Sequence, residues 1–323
     1  MDREEYILTV VQAGVLGSLT VAISILAILT FVRVRKHADP ARCAFTWLKV
    51  ALVLAFLSQG LTFASYLVWI ARVFVPWVLD DDYGYDWEEN RLHRAEYGLG
   101  SAGWFLETLA QCALVVTFAE LGNGFLYALT RQLTPKQITV RRVAIASIVP
   151  LAILAIVDLG WDGAVYKEYF DIMSPDYNLS FYDEAMEDVG KKMANVANVR
   201  LAWMALHCAI MVALVVQAAM VKHKYQGIQP ADQGVTIYLV APILNLVRAL
   251  WILTRFSAIT YGEVWRLTEM ETNFGLTLVF NICIFFIVLV LLSVVGSLRH
   301  RGLWTIGQPW MARQPQMGQR GLV

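Results

Sequence analysis

Seven ionisable side chains interrupt long apolar stretches of this sequence, where a charge needs compensation. On membrane-insertion scales such a group costs at least about 2.5–3.5 kcal/mol, so it usually faces the interior of a helical bundle and takes part in function. Carboxyl, imidazole and guanidinium groups gathered in one bundle could bind a polar ligand or transfer a proton. The candidates outside loops and termini are Glu107, Glu120, Asp158, Arg200, His207, Arg248 and Arg255.

Helical spacing sorts these residues into stripes, because positions three, four and seven apart share one face of an α-helix. Trp104, Glu107 and Gln111 form one stripe. Glu120 is rotated about 220° from Glu107 at 100° per residue, so it faces another direction. Two more stripes and one polar residue of the last apolar segment complete the set: Arg200, Trp203 and His207; Asn245, Arg248, Trp251 and Arg255; and Asn281.

The stripes lie at a common depth, since Glu107 and Arg248 are about 12 Å and 16 Å below the lumenal ends of their helices at 1.5 Å per residue. We therefore predict a lumen-facing polar cavity in the outer half of the bundle, in which Glu107 is the buried acid and Arg248, Arg200, His207 and Asn245 are its partners. A structural Glu107–Arg248 ion pair that fixes helix register is the alternative. The predicted binding residues are Trp104, Gln111, Arg200, Trp203, His207, Asn245, Arg248, Trp251 and Asn281.

The elements that position these residues are transmembrane helices. Hydrophobic residues make up 58% of the chain and charged residues 16%, against about 45–50% and 25% in soluble domains. A span needs about 20 apolar residues. We predict an all-α fold, a single seven-helix bundle over residues 1–298 with a flexible tail over 299–323. The predicted helices are 8–32, 46–74, 99–127, 141–160, 196–220, 235–258 and 273–297.

The composition also excludes several classes of protein. A soluble enzyme, a disordered chain and a disulfide-stapled secreted domain do not fit this hydrophobicity. The chain has 26 basic and 26 acidic residues, so no nucleic-acid partner is predicted. The cysteines lie in or beside apolar segments and no Cys/His spacing suggests a metal site. No disulfide, metal or cofactor is predicted, and no oligomeric state is assigned.

Charge asymmetry predicts the orientation. The 33–42, 131–142 and 221–234 connections and the tail are rich in Lys and Arg, which places them in the cytosol and the N-terminus in the lumen or outside the cell. Acidic residues gather on the opposite side, in the run 80–89 among others, which is interpreted as a solvated connection. The same side carries the glycosylation sequon Asn178-Leu179-Ser180, where the transferase could reach it.

Two functional hypotheses remain open. A seven-helix receptor or transporter could bind a small ligand in the cavity, although the seventh helix carries Asn281-Ile282-Cys283-Ile284 where common receptors have Asn-Pro-x-x-Tyr. An integral-membrane enzyme could instead use a carboxyl group that stays protonated among aromatic rings as a general acid, while the rings stabilise a carbocation. Glu107 is one candidate acid. Glu120, which is farther from Arg200 and Arg248, is the other.

The hydrophobic pattern and the acidic residues within aromatic helices, Trp104-Phe105-Leu106-Glu107 and Thr117-Phe118-Ala119-Glu120, resemble the membrane-bound terpene cyclases of fungal meroterpenoid pathways. The resemblance implies a metal-independent isomerase or lyase of secondary metabolism that cyclises a lipophilic polyprenyl or meroterpenoid substrate. It also implies an internal membrane, the endoplasmic reticulum above all.

Overall fold

The computed structural model describes residues 3–34, 42–78, 85–130, 132, 134–173, 182–226, 232–261, 276 and 278–298. Helices account for nearly all of these residues, and no strand occurs among them. The helices are α1 (Arg3–Arg33), α2 (Ala44–Val78), α3 (Tyr85–Thr130), α4 (Pro135–Ile172), α5 (Tyr182–Lys224), α6 (Asp232–Tyr261) and α7 (Ile284–Ser297). A π-helical segment, Leu278–Cys283, leads directly into α7.

Seven helical stretches are long and apolar enough to cross a membrane. This confirms the predicted all-α class and the predicted number of candidate spans. The seventh is formed by the π segment together with α7. The predicted tail and the predicted start of the seventh helix before residue 276 lie outside the described residues.

Three helices are much longer than predicted. Helix α3 begins at Tyr85 instead of residue 99, α4 continues to Ile172 instead of 160, and α5 begins at Tyr182 instead of 196. A prediction from hydropathy alone ends each helix at its first cluster of charged residues. The helical spacing of apolar residues nevertheless continues through the charged part. Residues 85–98, 161–172 and 182–195 are called the helical extension below.

Apolar side chains hold the helical extension together. Val165 and Ile172 of α4 are buried against Val189 and Val196 of α5, and each pair is spaced by two helical turns. These residues form a hydrophobic cluster separate from the main core of the bundle. The extension is therefore a packed structure in which charged residues cover a continuous apolar seam.

Aromatic contacts join α3 to the same seam. The Tyr97 ring stacks on Tyr166 with centroids 3.3 Å apart, and His93 meets Phe170 edge-on at 5.2 Å. The Arg94 guanidinium lies 5.3 Å from the centroid of the Phe170 ring. Edge-on pairs such as His93–Phe170 stabilise packing beyond the area that they bury.

Helix α3 occupies the centre of the bundle. In its most apolar 18-residue stretch 83% of the residues are buried, against 17% in α1. The α3 residues from Ala110 to Phe125 are buried without interruption. A polar group carried by this helix therefore has to find its partners on neighbouring helices.

Gly122 allows α3 to approach α5 and α6 closely. The Gln217 side-chain amide donates to the carbonyl of Ala119 at 3.3 Å, and the Tyr238 hydroxyl donates to that of Phe118 at 3.1 Å. A Cβ atom at position 122 would lie 2.5 Å from both the Gln217 nitrogen and the Tyr238 oxygen. Only glycine leaves room for these two interhelical hydrogen bonds.

Candidate functional site

A polar layer crosses the bundle at the depth predicted from the sequence. It comprises Glu107 and Gln111 of α3, His207 of α5, and Asn245 and Arg248 of α6. The structure brings together the acid, the imidazole and one of the arginines that the helical stripes had placed at one depth. All five residues except Glu107 are buried, and the Glu107 side chain is 12% exposed.

Arg248 is the centre of this layer. Its guanidinium forms an ion pair with the Glu107 carboxylate and donates through Nε to the backbone carbonyl of Asn281 at 2.9 Å. The guanidinium carbon also lies 4.6 Å from the centroid of the Phe285 ring. Arg248 thus connects α3 with the π segment, where the wider helical turn changes the backbone hydrogen-bonding pattern.

A second link joins α3, α5 and α6. The Asn245 side-chain amide donates to Gln111 Oε1 at 3.2 Å and to Met211 Sδ at 3.4 Å. Because Asn245 is completely buried, these bonds satisfy groups that water cannot reach. They orient the Gln111 amide so that its oxygen is used and its nitrogen is not.

A small cavity adjoins the layer. Its volume is about 20 Å³, which is room for roughly one water molecule. The polar members of its wall come from α3, α5 and α6, and the Trp104 and Trp203 rings form its aromatic part. The lining residues are Trp104, Glu107, Thr108, Gln111, Trp203, Met204, His207, Arg248, Ala249 and Ile252.

Three of these lining residues carry a buried nitrogen without a hydrogen-bond partner in the described part of the chain: Gln111 Nε2, Trp203 Nε1 and His207 Nε2. The amide and indole nitrogens can only donate, and the imidazole nitrogen can donate or accept according to its tautomer. An unsatisfied buried donor costs about 1–3 kcal/mol. The cavity wall can therefore donate hydrogen bonds to an acceptor atom, such as an oxygen, of a bound group.

The aromatic wall consists of three rings in contact. The His207 ring lies on Trp203 with centroids 5.1 Å apart and planes 21° from parallel, and Trp203 meets Trp104 edge-on at 6.2 Å. The predicted binding residue Trp251 is placed differently. It stacks on Phe280 at 5.1 Å and is not among the residues lining the cavity.

Arg200 has other partners than the predicted Glu107. Its guanidinium lies 3.2 Å from both oxygens of Asp158 and 3.4 Å from Asp162 Oδ2. Trp104 Nε1 donates to Asp158 at 3.1 Å, and the Ser101 hydroxyl donates to Asp162 at 3.1 Å. The prediction that Arg200 pairs with Glu107 is wrong, because α4 brings its two buried carboxylates closer to this arginine.

These five residues form a second buried network, the Arg200 network, toward the helical extension. Its two carboxylates share one guanidinium. Trp104 belongs to both sites, since its indole nitrogen binds Asp158 while its ring lines the cavity. One signal in the sequence pointed to Asp162, because it lies four residues after Asp158. The predicted end of the helix at residue 160 concealed this spacing.

Glu120 lies outside the polar layer, as its angular position predicted, but it is not remote from arginine. Arg141 Nε lies 2.8 Å from Glu120 Oε1. Helix α4 begins at Pro135, with Thr134 and Gln137 forming a capping box, so Arg141 stands on a helix facing α3. The prediction had placed Arg141 at the start of that helix.

Asn281 reaches the polar layer through its backbone carbonyl, and its side-chain oxygen has no partner within the described ranges. The sequon residue Asn178 lies outside the described residues, as do residues 79–84 of the acidic run. All four cysteines are free. Among the described residues no group of three or more His, Cys, Asp or Glu side chains could hold a metal ion.

Comparison of the chain with protein-family models, with curated proteins and with solved structures finds no match.

Proposed function

We propose that this protein is an integral membrane protein of the receptor or transporter type that binds an oxygen-bearing group of a small lipophilic ligand in the polar layer. The observation that carries the proposal is the set of unpartnered nitrogens of Gln111, Trp203 and His207 around one cavity. Each such nitrogen is costly when buried, and these three line the same cavity, where one bound group could satisfy them together. A hydroxyl, carbonyl or carboxylate group would satisfy them.

The Glu107–Arg248 pair suits the same role. It places a positive and a negative group beside the cavity, where the low dielectric strengthens hydrogen bonds to a ligand. The cavity volume of about 20 Å³ admits a single polar group, with room for roughly one water-sized occupant. The rest of the ligand would have to lie along the Trp104 and Trp203 rings, which meet edge-on.

The same geometry bears on a terpene cyclase. Glu107 and Glu120 each lie in an ion pair with an arginine, so a cyclase would have to break an ion pair before either carboxyl group could serve as its acid. This feature favours ligand binding over cyclisation, and the cyclase stays the competing prediction.

Binding through a polar end group predicts a selective change in thermal stability. Protein in detergent would be melted with 1-decanol, 2-decanone or decanoate, and with decane as the apolar control. We expect the oxygen-bearing compounds to raise the melting temperature and decane to have no effect. His207→Phe, which keeps a ring stacked on Trp203, should abolish the increase without lowering the stability of the ligand-free protein.

Thr117→Val is the matched control, because Thr117 is buried on α3 and, among the described residues, its hydroxyl bonds only the carbonyl of Ala113 in its own helix. Its response should equal that of the wild type. Equal stabilisation by decane, or an unchanged response in His207→Phe, would contradict binding in the polar layer. A new isomer of a supplied farnesylated aromatic epoxide, lost in Glu107→Gln or Glu120→Gln, would establish the cyclase instead.

We also propose that the N-terminus is lumenal or extracellular and that the protein resides in the endoplasmic reticulum or another endomembrane. The distribution of Lys and Arg supports the orientation, and the family resemblance supports the compartment. Glycosidase treatment should then increase gel mobility, and Asn178→Gln should remove this shift. Glycosylation of a sequon introduced into the 299–323 tail would show the opposite orientation.

A further inference from the structure

A second and much larger cavity lies at the other end of the bundle, between α1 and α2. Its volume is about 490 Å³, within the range of about 300–1,000 Å³ that small-molecule sites occupy. We call it the α1–α2 groove. Its wall is apolar apart from one hydroxyl and one ammonium group, and it consists of Phe31, Val34, Phe45, Thr46, Lys49, Val50, Val53 and Leu54.

Lys49 is the unusual member of this wall. Its ammonium group lies 5.1 Å from the centroid of the Phe31 ring, and it forms no ion pair with any carboxylate that the structure describes. The side chain is only partly exposed. A cation in apolar surroundings is stabilised when an anion accompanies it, so the groove has a position for a negative charge.

The surroundings of Lys49 increase the positive potential. Arg42 is buried nearby, donates to the carbonyl of Gly296 at 2.7 Å and lies 4.8 Å from the centroid of the Phe45 ring, which also lines the groove. Helix α2 begins at Ala44, so the positive end of its dipole faces the same region. Both features favour an anion beside Lys49.

The remainder of the groove suits a hydrocarbon chain. From Lys49 the lining continues along α2 to Val50, Val53 and Leu54, about 7.5 Å farther at 1.5 Å per residue. Val50 and Val53 are 42% and 43% exposed, so the groove opens laterally toward the surrounding medium. A chain could therefore enter from the bilayer without passing through the bundle.

We propose that the α1–α2 groove binds an anionic phospholipid. The lipid phosphate pairs with the Lys49 ammonium, and one acyl chain lies against Val50, Val53 and Leu54. A free phosphate would use only the charged end, whereas the apolar wall requires a chain attached to the anion. This site is separate from the polar layer and does not depend on the function proposed for that layer.

Native mass spectrometry of the full chain in detergent tests the proposal by titration with palmitoyl-oleoyl phosphatidylglycerol and the corresponding phosphatidylcholine. The wild type should bind phosphatidylglycerol more tightly. Lys49→Gln should weaken phosphatidylglycerol binding about fivefold, the effect of one basic residue near the membrane surface. It should weaken phosphatidylcholine binding less, because the choline cation offsets the charge of the phosphate. Lys136→Gln removes an equal charge from an exposed position at the start of α4 and should have no effect.

The chain-binding part is tested by Val53→Trp, which fills the groove without changing the charge. It should weaken binding of both lipids, whereas Val143→Trp, at a 61% exposed valine of α4, should not. Equal affinity of the wild type for both lipids, or an unchanged affinity in Lys49→Gln, would overturn the proposal. Displacement of the lipid by millimolar glycerol 3-phosphate would also overturn it, because the acyl chain would then contribute nothing.

Discussion

Replacing Arg248 with methionine should lower the free energy of unfolding by about 3–5 kcal/mol, the usual effect of removing one partner from a buried ion pair. The substitution would leave the Glu107 carboxylate without its cation and the Asn281 carbonyl without its donor. Arg248 is 2% exposed and the adjoining cavity has a volume of only about 20 Å³, so little water can reach the two groups that it leaves. Unfolding of the purified protein by sodium dodecyl sulfate in mixed micelles would measure the loss.

A double-mutant cycle measures the coupling energy between Glu107 and Arg248 separately from the effects of the two single substitutions. Glu107→Leu combined with Arg248→Met removes both charges, so the double variant should be more stable than Arg248→Met alone. Arg33→Met, at an exposed position in the last turn of α1, is the control and should change stability by less than about 0.5 kcal/mol. Strict additivity of the two single effects would show that Glu107 and Arg248 are not energetically coupled.

The second large effect is expected at Arg200. Arg200→Met would leave Asp158 and Asp162, which are 4% and 6% exposed, as neighbouring carboxylates without a cation. We expect a loss of about 3–5 kcal/mol in the same unfolding measurement. The intrinsic fluorescence should change as well, because Trp104 Nε1 donates to one of these carboxylates.

The matched control lies on the same helix. Lys191 pairs with Glu187 four residues earlier, and both side chains are 71% exposed, so Lys191→Met should change stability by less than about 1 kcal/mol. Replacing both aspartates with asparagine in the Arg200→Met background should restore part of the stability, because no buried charge then remains. A loss equal to that of Lys191→Met would mean that the Arg200 network is hydrated and contributes little.

The polar layer was predictable because its members obey two simple periodicities. Glu107 and Gln111 share a helix face with Trp104, and the rise per residue places Arg248 opposite them. Both rules hold within a helix whose end is known. The Glu107–Arg248 pair therefore follows from the sequence, given seven spans that surround one interior.

Arg200 shows why the remaining contacts did not follow. Its partners, Asp158 and Asp162, straddle the point at which hydropathy ends α4, while the helix itself continues to Ile172. Arg141 was assigned to a helix start for the same reason. Propensity and hydropathy report the local environment, but the choice among several carboxylates depends on which helices are neighbours. The sequence of a single protein does not state which helices are neighbours.

The close approach at Gly122 is another tertiary property. The residue has nothing in its immediate sequence that distinguishes it from Gly124, two positions later. Its role becomes visible only when Gln217 and Tyr238 are placed against the backbone of α3. A glycine of this kind determines how closely two helices can approach. It can be identified only when the residues that pack against it are known.

The helical extension forms a long projection at one end of the bundle. Its segments continue α3, α4 and α5 without a break for about 18–21 Å. Aromatic contacts join α3 to α4 and an apolar cluster joins α4 to α5. A rotation of roughly 10° about the base of a rod of that length moves its tip by about 3 Å. Since Glu107 belongs to the same unbroken helix α3, the extension and the polar layer are parts of one continuous element.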